Sequence, residues 1–358
     1  MVYPDTFEGF AVHDTKKWST VEKIEFKPKP FGPYDVDIKV EACGVCGSDV
    51  HTVTGGWEAP VLPVIVGHEI VGKVVKVGDK VTTLKVGDRA GVGAQIWSCL
   101  ECEICKQGNE TYCPKWVDTY NDAYPDGTRT YGGYSSHIRA HEHFAFPIPE
   151  KLNTLGVAPM LCAGITTYSP LVRNGAGPGK KVGVVGIGGL GHFAIMWAKA
   201  LGCEVYVFSR SSKKKADALQ LGADHFVATG EGENWNSDLK YKLDMIISTA
   251  NSTKNFDFDA YAIMLKVHAK FIAVGLPEDQ FQISGGTLLK NGCYIGSSHL
   301  GSRQEMIDML NLAAEKGIES WYEAIAISKG GIKEALERCH DGDVKYRFTL
   351  SDYSKEFA

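Results

Sequence analysis

The sequence predicts an α/β protein of two domains, one β-rich and irregular, the other built on a doubly wound parallel sheet. Three observations carry this reading. The chain has 358 residues, which at roughly 150 residues per domain is about two domains. From Phe7 to Arg89, short β-type runs such as Val36–Val40 and Val71–Val77 are broken by Gly and Pro, with almost no helical period. From Leu152 onward strands alternate with helices, the pattern of parallel strands joined by crossover helices.

The alternating half reads in order as a strand Lys181–Val185 and helix Leu190–Leu201, then a strand Glu204–Ser209 and helix Lys213–Leu221. His225–Ala228, Leu243–Thr249, Lys270–Gly275 and Tyr294–Ser297 follow as strands. Strands alternating with helices in this way imply a parallel doubly wound sheet. An amphipathic helix runs from Ser302 through Lys316, and the tail from Trp321 ends in Tyr346-Arg347-Phe348-Thr349-Leu350. This tail is expected to rejoin the first domain, which sets the domains at residues 1–152 with 301–358 and at residues 153–300.

Composition removes several function classes. Lys and Arg number 38 against 43 Asp and Glu, so no general basic field exists to hold a nucleic acid. The most apolar stretch, Val182–Ala198, carries several glycines and His192 and is short of the ~20 residues a membrane span needs. It reads as a buried strand, turn and helix. Met1-Val2-Tyr3-Pro4-Asp5 lacks a basic region followed by an apolar run, so no targeting leader is expected and the cytoplasm is the default. Of ten cysteines, four cluster at Cys99, Cys102, Cys105 and Cys113, which in that compartment indicates a metal rather than disulfides.

The strand Lys181–Val185 runs into Gly186-x-Gly188-x-x-Gly191 and a helix, the context in which this motif binds a dinucleotide. Gly186 makes the tight turn, Gly188 lets the backbone reach a pyrophosphate, and Gly191 lets helix and sheet touch. At the end of the next strand an NAD site places an acid on the ribose 2'-hydroxyl. Here the chain has Ser209-Arg210-Ser211-Ser212-Lys213-Lys214-Lys215 and no carboxylate. A solvated charge run is one reading; lysines in the first turn of a helix oppose its dipole unless an anion offsets them, which favours a 2'-phosphate and hence NADP.

Cys99-x-x-Cys102-x-x-Cys105 with Cys113 supplies four thiolates, a set that closes a structural zinc site with no open position. A second, dispersed group comprises Cys46-Gly47-Ser48-Asp49-Val50-His51, Gly67-His68-Glu69 and Cys162. Two cysteines and a histidine would leave one zinc position open for a substrate oxygen. Cys43, Cys203, Cys293 and Cys339 are assigned no role beyond core filling.

Gly67-His68-Glu69-x-x-Gly72-x5-Gly78-x-x-Val81, the cysteine loop, Gly186–Gly191 and Ser209-Arg210-Ser211-Ser212 together resemble the zinc-containing medium-chain alcohol dehydrogenases. Within them the chain is most similar to the cinnamyl alcohol dehydrogenase group and its fungal NADP-dependent broad-specificity members, over nearly its whole length. The resemblance implies a GroES-like catalytic domain with a Rossmann cofactor domain, and two zinc ions per subunit. Cys46, His68 and Cys162 would hold the catalytic zinc, with Glu69 a close or exchanging ligand. Asp49 would orient His68. Ser48 would hydrogen-bond the reacting oxygen and pass its proton through the cofactor ribose to His51. NADP(H) would lie along Thr166, Gly188, Gly189, Leu190, Ser209, Arg210 and Lys214, with Thr249, Gly275 and Ser297 along its nicotinamide half. Trp57, Ile96, Trp116 and Tyr120 are either aromatic and aliphatic pocket walls or ordinary loop anchors.

The expected activity is reversible interconversion of aldehydes, aromatic such as cinnamaldehyde or medium and long aliphatic, with primary alcohols, mainly as aldehyde reduction. The alternatives are an NADPH-dependent reductase of iminium or activated alkene substrates, a polyol dehydrogenase, or a cofactor binder without catalysis. A homodimer is expected through the last strand of the cofactor domain, near Tyr294–Leu300, with a small-molecule substrate and neither nucleic acid nor membrane as partner.

Overall fold

The structure, a computed structural model, describes residues 5–357 apart from 233, 253, 255, 278 and 279. Met1–Pro4, where no leader is expected, lie outside the described residues. The chain divides into two units, Met1–Cys162 with Ser302–Ala358, and Ala163–Gly301.

In the first unit the strand Asp35–Val45 is buried along almost its entire length, because both of its long edges are paired. It runs antiparallel to Ile70–Val77 on one side and to His137–His141 and Arg347–Ser351 on the other. The full order of this seven-stranded sheet is Tyr322–Ala326, Arg347–Ser351, Asp35–Val45, Ile70–Val77, Arg89–Val92 and Ala145–Pro147, with His137–His141 attached to the central strand. Phe10, Val36, Ile38, Ile65, Ile70 and Phe348 fill the core. Asp37 is fully buried on the central strand and tolerated there because Arg139 grips both its oxygens at 2.8 Å, a bidentate match that offsets desolvation. Gly72 is required where strands approach most closely: a Cβ there would sit 2.0 Å from the Lys39 carbonyl oxygen.

The first unit extends ten residues beyond the predicted boundary at 152. Thr154–Val157 and Ala158–Leu161 are short helical turns that the sequence pattern merges with the alternating half. Their carbonyls are bound by the C-terminal tail, Leu155 by the Thr349 hydroxyl at 3.1 Å and Gly156 by that of Ser320 at 2.7 Å. This docking carries Cys162 to the end of the sheet.

The second unit is a six-stranded, wholly parallel sheet ordered His225–Ala228, Glu204–Ser209, Lys181–Val185, Leu243–Ser248, Leu265–Ala273 and Tyr294–Ser297. The strand order reverses at Lys181–Val185, the switch point at which such sheets bind ligands beyond their carboxyl ends. The helices Ala163–Arg173 and Gly191–Ala200 pack together through Trp197, which is fully buried and donates to the Gly164 carbonyl at 3.0 Å. Leu265–Ala273 begins five residues before the predicted start at Lys270 because Leu265 pairs with Leu243 across a register shift. The predicted helix Lys213–Leu221 opens instead as a 3-10 turn, Ser212–Lys214, before Lys215–Gln220. Among the described residues no single helix is long and apolar enough to cross a membrane.

Candidate active site

The central strand Asp35–Val45 delivers Cys46 at the amino end of the helix Gly47–Thr54. One turn later Asp49, fully buried, accepts the Cys46 amide at 2.8 Å and, through its other oxygen, the Gly67 amide at 3.0 Å. The carboxylate thus ties the helix start to the loop that carries His68 and Glu69. The turns ending at Leu161 bring Cys162, and the ligand atoms of Cys46, His68, Glu69 and Cys162 all lie within 4.8 Å of one another.

Two buried atoms of this group have no hydrogen-bond partner, His68 Nε2 and Glu69 Oε2. Buried polar atoms are rarely left unpaired, and two sulfurs, an imidazole nitrogen and a carboxylate oxygen converging here are a donor set suited to zinc. With Nε2 kept for a metal, Nδ1 carries the proton. It faces the Tyr120 hydroxyl at 3.1 Å and Asp49 Oδ1 at 3.6 Å. Burial opposes a charge on His68, and the Asp49 carboxylate, with help from Cys46, outweighs it to push the pKa up to about 9. A hydrogen bond from Cys162 holds the Cys46 thiol well below its ordinary range.

Glu69 is pushed up to about 7 by burial, against the pull of Arg347, whose guanidinium touches Glu69 Oε1. Gly44 leaves the room this carboxylate needs: a Cβ would come 1.9 Å from Oε2.

In the cysteine loop the sulfurs of Cys99 and Cys113 are 3.5 Å apart, as are those of Cys102 and Cys105, while Cys102–Cys113 and Cys99–Cys105 are 3.9 and 4.0 Å. Four sulfurs bound about 2.3 Å from one zinc would lie about 3.8 Å apart in a tetrahedron, so the loop is already shaped for the ion.

The second unit carries the dinucleotide motif. Gly186 has φ +91°, which favours glycine, and a Cβ on Gly191 would lie 2.1 Å from the Gly186 carbonyl oxygen. Gly188 is exposed with open space where a side chain would be. Leu190 precedes the helix, and Gly189 lies in the same turn. Thr249 donates to the Val185 carbonyl at 2.9 Å, while Gly275 packs so closely that a Cβ would lie 2.1 Å from the Ala250 carbonyl oxygen. Ser297 donates to the Ala273 carbonyl at 2.7 Å. These residues, with Ser209 and Arg210, share the carboxyl edge of the sheet, and Thr166 lies on the helix Ala163–Arg173. Lys214 Nζ reaches the Ile187 carbonyl at 2.8 Å, joining the basic run to the glycine turn.

Residues 32–150 match the family Alcohol dehydrogenase GroES-like domain and residues 189–315 the family Zinc-binding dehydrogenase. The chain is 48% identical to NADP-dependent alcohol dehydrogenase 6 of Saccharomyces cerevisiae over 100% of both chains. The chain belongs to the zinc-binding alcohol dehydrogenase family. Its fold is similar to that of a cinnamyl alcohol dehydrogenase from Sorghum bicolor, with TM-score 0.90, 35% identity and 97% of each chain covered. It is also similar to CAD from Helicobacter pylori complexed with NADP(H), with TM-score 0.87, 34% identity, and 97% of this chain and 98% of that one covered.

The loop residues of this alcohol dehydrogenase make the following contacts. Ile96 is buried in the core of the first unit. Tyr120 is buried behind His68, stacked on its ring at 5.4 Å. Trp57 stacks on His51 at 4.6 Å, and Trp116 donates to Asp118 at 2.7 Å. Ser48 Oγ lies 3.6 Å from Cys46 Sγ. The basic run is also not free of acid, because Glu231, from the loop after His225–Ala228, accepts both the amide and the hydroxyl of Ser212 at 2.7 and 3.0 Å. Arg347 and Glu231 are assigned no role by sequence; pairing of distant strands brings Arg347 to Glu69, and the loop after His225–Ala228 brings Glu231 to Ser212.

Proposed function

We propose that this enzyme is a zinc- and NADPH-dependent oxidoreductase that interconverts aldehydes and primary alcohols, aromatic or medium to long aliphatic, and acts mainly in aldehyde reduction. The observation that carries the reading is the convergence of Cys46, His68, Glu69 and Cys162 around two unpartnered buried atoms. Cys46, His68 and Cys162 would hold the catalytic metal, with Glu69 exchanging, and the four-cysteine loop would hold the structural one. Zinc bound there supplies Lewis-acid polarisation of the substrate oxygen, and NADPH supplies the hydride.

The remaining roles belong to side chains. Asp49 fixes the His68 tautomer from behind, with Tyr120 sharing the Nδ1 proton, as ligating histidines generally require. Ser48 hydrogen-bonds the reacting oxygen and gives up its hydroxyl proton as the alcohol forms. His51, on the same helix Gly47–Thr54, would restore that proton to Ser48. Arg347 holds Glu69 by one oxygen, leaving the other turned toward the ligand cluster. Gly186, Gly188, Gly189, Leu190 and Gly191 cradle the pyrophosphate, and Ser209, Arg210 and Lys214 take the 2'-phosphate. Thr166, Thr249, Gly275 and Ser297 line the nicotinamide half.

Two copies pair through the last strand of the cofactor domain, near Tyr294–Leu300. That strand is the outer member of its sheet, and Tyr294, Val267 and Leu289 are exposed; uncovered edges of this kind invite pairing. The cytoplasm suits its ten free cysteines.

Oxidation of NADPH by cinnamaldehyde, followed with zinc stripped and then restored, tests the reaction class. Turnover that returns with zinc and prefers NADPH to NADH is expected; a protein that binds NADPH yet turns over no aldehyde would shift the reading to iminium or alkene reduction. Arg210→Asp should raise the KM for NADPH about tenfold to a hundredfold, since hydrogen bonds to charged groups contribute about 1.5–3 kcal/mol. An equal change for NADH would sink the assignment.

A further inference from the structure

The loop after the strand His225–Ala228 is fastened to the segment that carries the 2'-phosphate residues. The Thr229 amide donates to the Ser209 carbonyl at 2.8 Å, and the Gly230 amide to the Arg210 carbonyl at 3.0 Å. Gly230 allows this approach, since a Cβ there would lie 2.6 Å from the Arg210 carbonyl oxygen. The next residue, Glu231, is thereby set against Ser212. One of its oxygens, Oε1, accepts the Ser212 amide at 2.7 Å and the Ser212 hydroxyl at 3.0 Å.

This is an acid where an NADP site should have none. The run Ser209-Arg210-Ser211-Ser212-Lys213-Lys214-Lys215 is rich in the donors and cations a phosphate dianion selects. Glu231 takes two of those donors and adds a negative charge beside the rest. A ribose 2'-hydroxyl brings no charge and suffers little from a neighbouring carboxylate, which is the group NAD sites use to accept it. A 2'-phosphate meets both repulsion and competition for Ser212.

We propose that Glu231 is a specificity-determining residue that holds down the preference for NADPH over NADH: its carboxylate occupies the Ser212 donors and must yield them when a 2'-phosphate binds. The inference rests on the reading that Ser209, Arg210 and Lys214 receive that phosphate. It assigns the loop a function beyond capping the turn Ser212–Lys214. It also makes the selectivity adjustable in one direction by one residue that need not touch NADH.

Dissociation constants for NADPH and NADH, measured by calorimetry on the zinc-loaded enzyme, test it in wild type, Glu231→Gln and Arg210→Ala. Glu231→Gln keeps the shape of the side chain and removes its charge. NADPH should bind about fivefold tighter, as removal of one partly exposed like charge allows, with NADH little changed, so the ratio of the two constants widens. The gain should shrink in high salt, where exposed charges are screened. Arg210→Ala should narrow the same ratio. If Arg210→Ala narrows it but Glu231→Gln leaves it unchanged, or shifts both cofactors equally, Glu231 is only a turn cap and the inference is overturned while the cofactor reading stands. If Arg210→Ala leaves the ratio unchanged, the 2'-phosphate reading itself falls, and this inference with it.

Discussion

Replacing His68 by alanine is expected to lower aldehyde reduction by about a thousandfold or more, because Lewis-acid stabilisation of a developing charge is worth several kcal/mol. NADPH binding should survive, since the glycine turn and the basic run lie in the other unit. The variant removes the imidazole whose Nε2 has no partner and leaves Asp49 and the Tyr120 hydroxyl facing an empty space. Zinc content should fall by one ion per chain, the loop of Cys99, Cys102, Cys105 and Cys113 retaining its own. Metal analysis and NADPH titration on the same preparation separate this result from unfolding. A variant that loses the ion yet keeps more than about a tenth of its turnover would show that the Cys46, His68 and Cys162 cluster does not carry the chemistry.

How far these parts were legible in sequence follows from what each demands of the chain. Gly186, Gly188 and Gly191 announce themselves because a left-handed turn, an open approach and a close helix packing each exclude a side chain, and the three lie within one turn of chain. The cysteine loop is legible for a similar reason, its four thiols being close in sequence as well as in space. Cys46, His68 and Cys162 are harder to read: each fragment alone is weak and three separate elements bring them together, so they stand out only as two cysteines and a histidine beside a dinucleotide motif, and the resemblance to a family gives each its role. Arg347 was invisible, because it stands 278 residues from Glu69 and meets it only through the pairing of Arg347–Ser351 with Asp35–Val45. Glu231 stands only 19 residues from Ser212, but a lone acid in the loop after His225–Ala228 says nothing until that strand's register on Glu204–Ser209 fixes the loop. Tyr120 reads in sequence as a pocket wall or a loop anchor, and only the fold sets its hydroxyl against His68. The domain boundary slipped because Thr154–Leu161 is helical in pattern, and only its docking on the tail assigns it to the first unit.

Arg347→Met should destabilise the protein by about 3–5 kcal/mol at alkaline pH, the usual cost of removing one partner from a buried ion pair. Glu69 is fully inaccessible and Arg347 is 6% exposed, so water cannot replace the lost guanidinium. Burial already raises Glu69 from an ordinary value of 4.5 to about 7 with Arg347 in place, and without the cation it must rise further. A carboxyl whose folded pKa is raised binds a proton that the unfolded chain does not. Its stabilising contribution is therefore complete below 4.5 and is lost as pH climbs through the folded value. In the variant that loss extends to higher pH, so the gap from wild type should be small well below 7 and widen above it. Urea unfolding on either side of that pH measures the gap directly. The double variant Glu69→Gln with Arg347→Met carries no unpaired charge and should recover part of the loss, a coupling that a double-mutant cycle isolates. A penalty that is flat with pH and unrelieved in the double variant would mean that Arg347 acts through packing alone, and the electrostatic account of Glu69 would have to be abandoned.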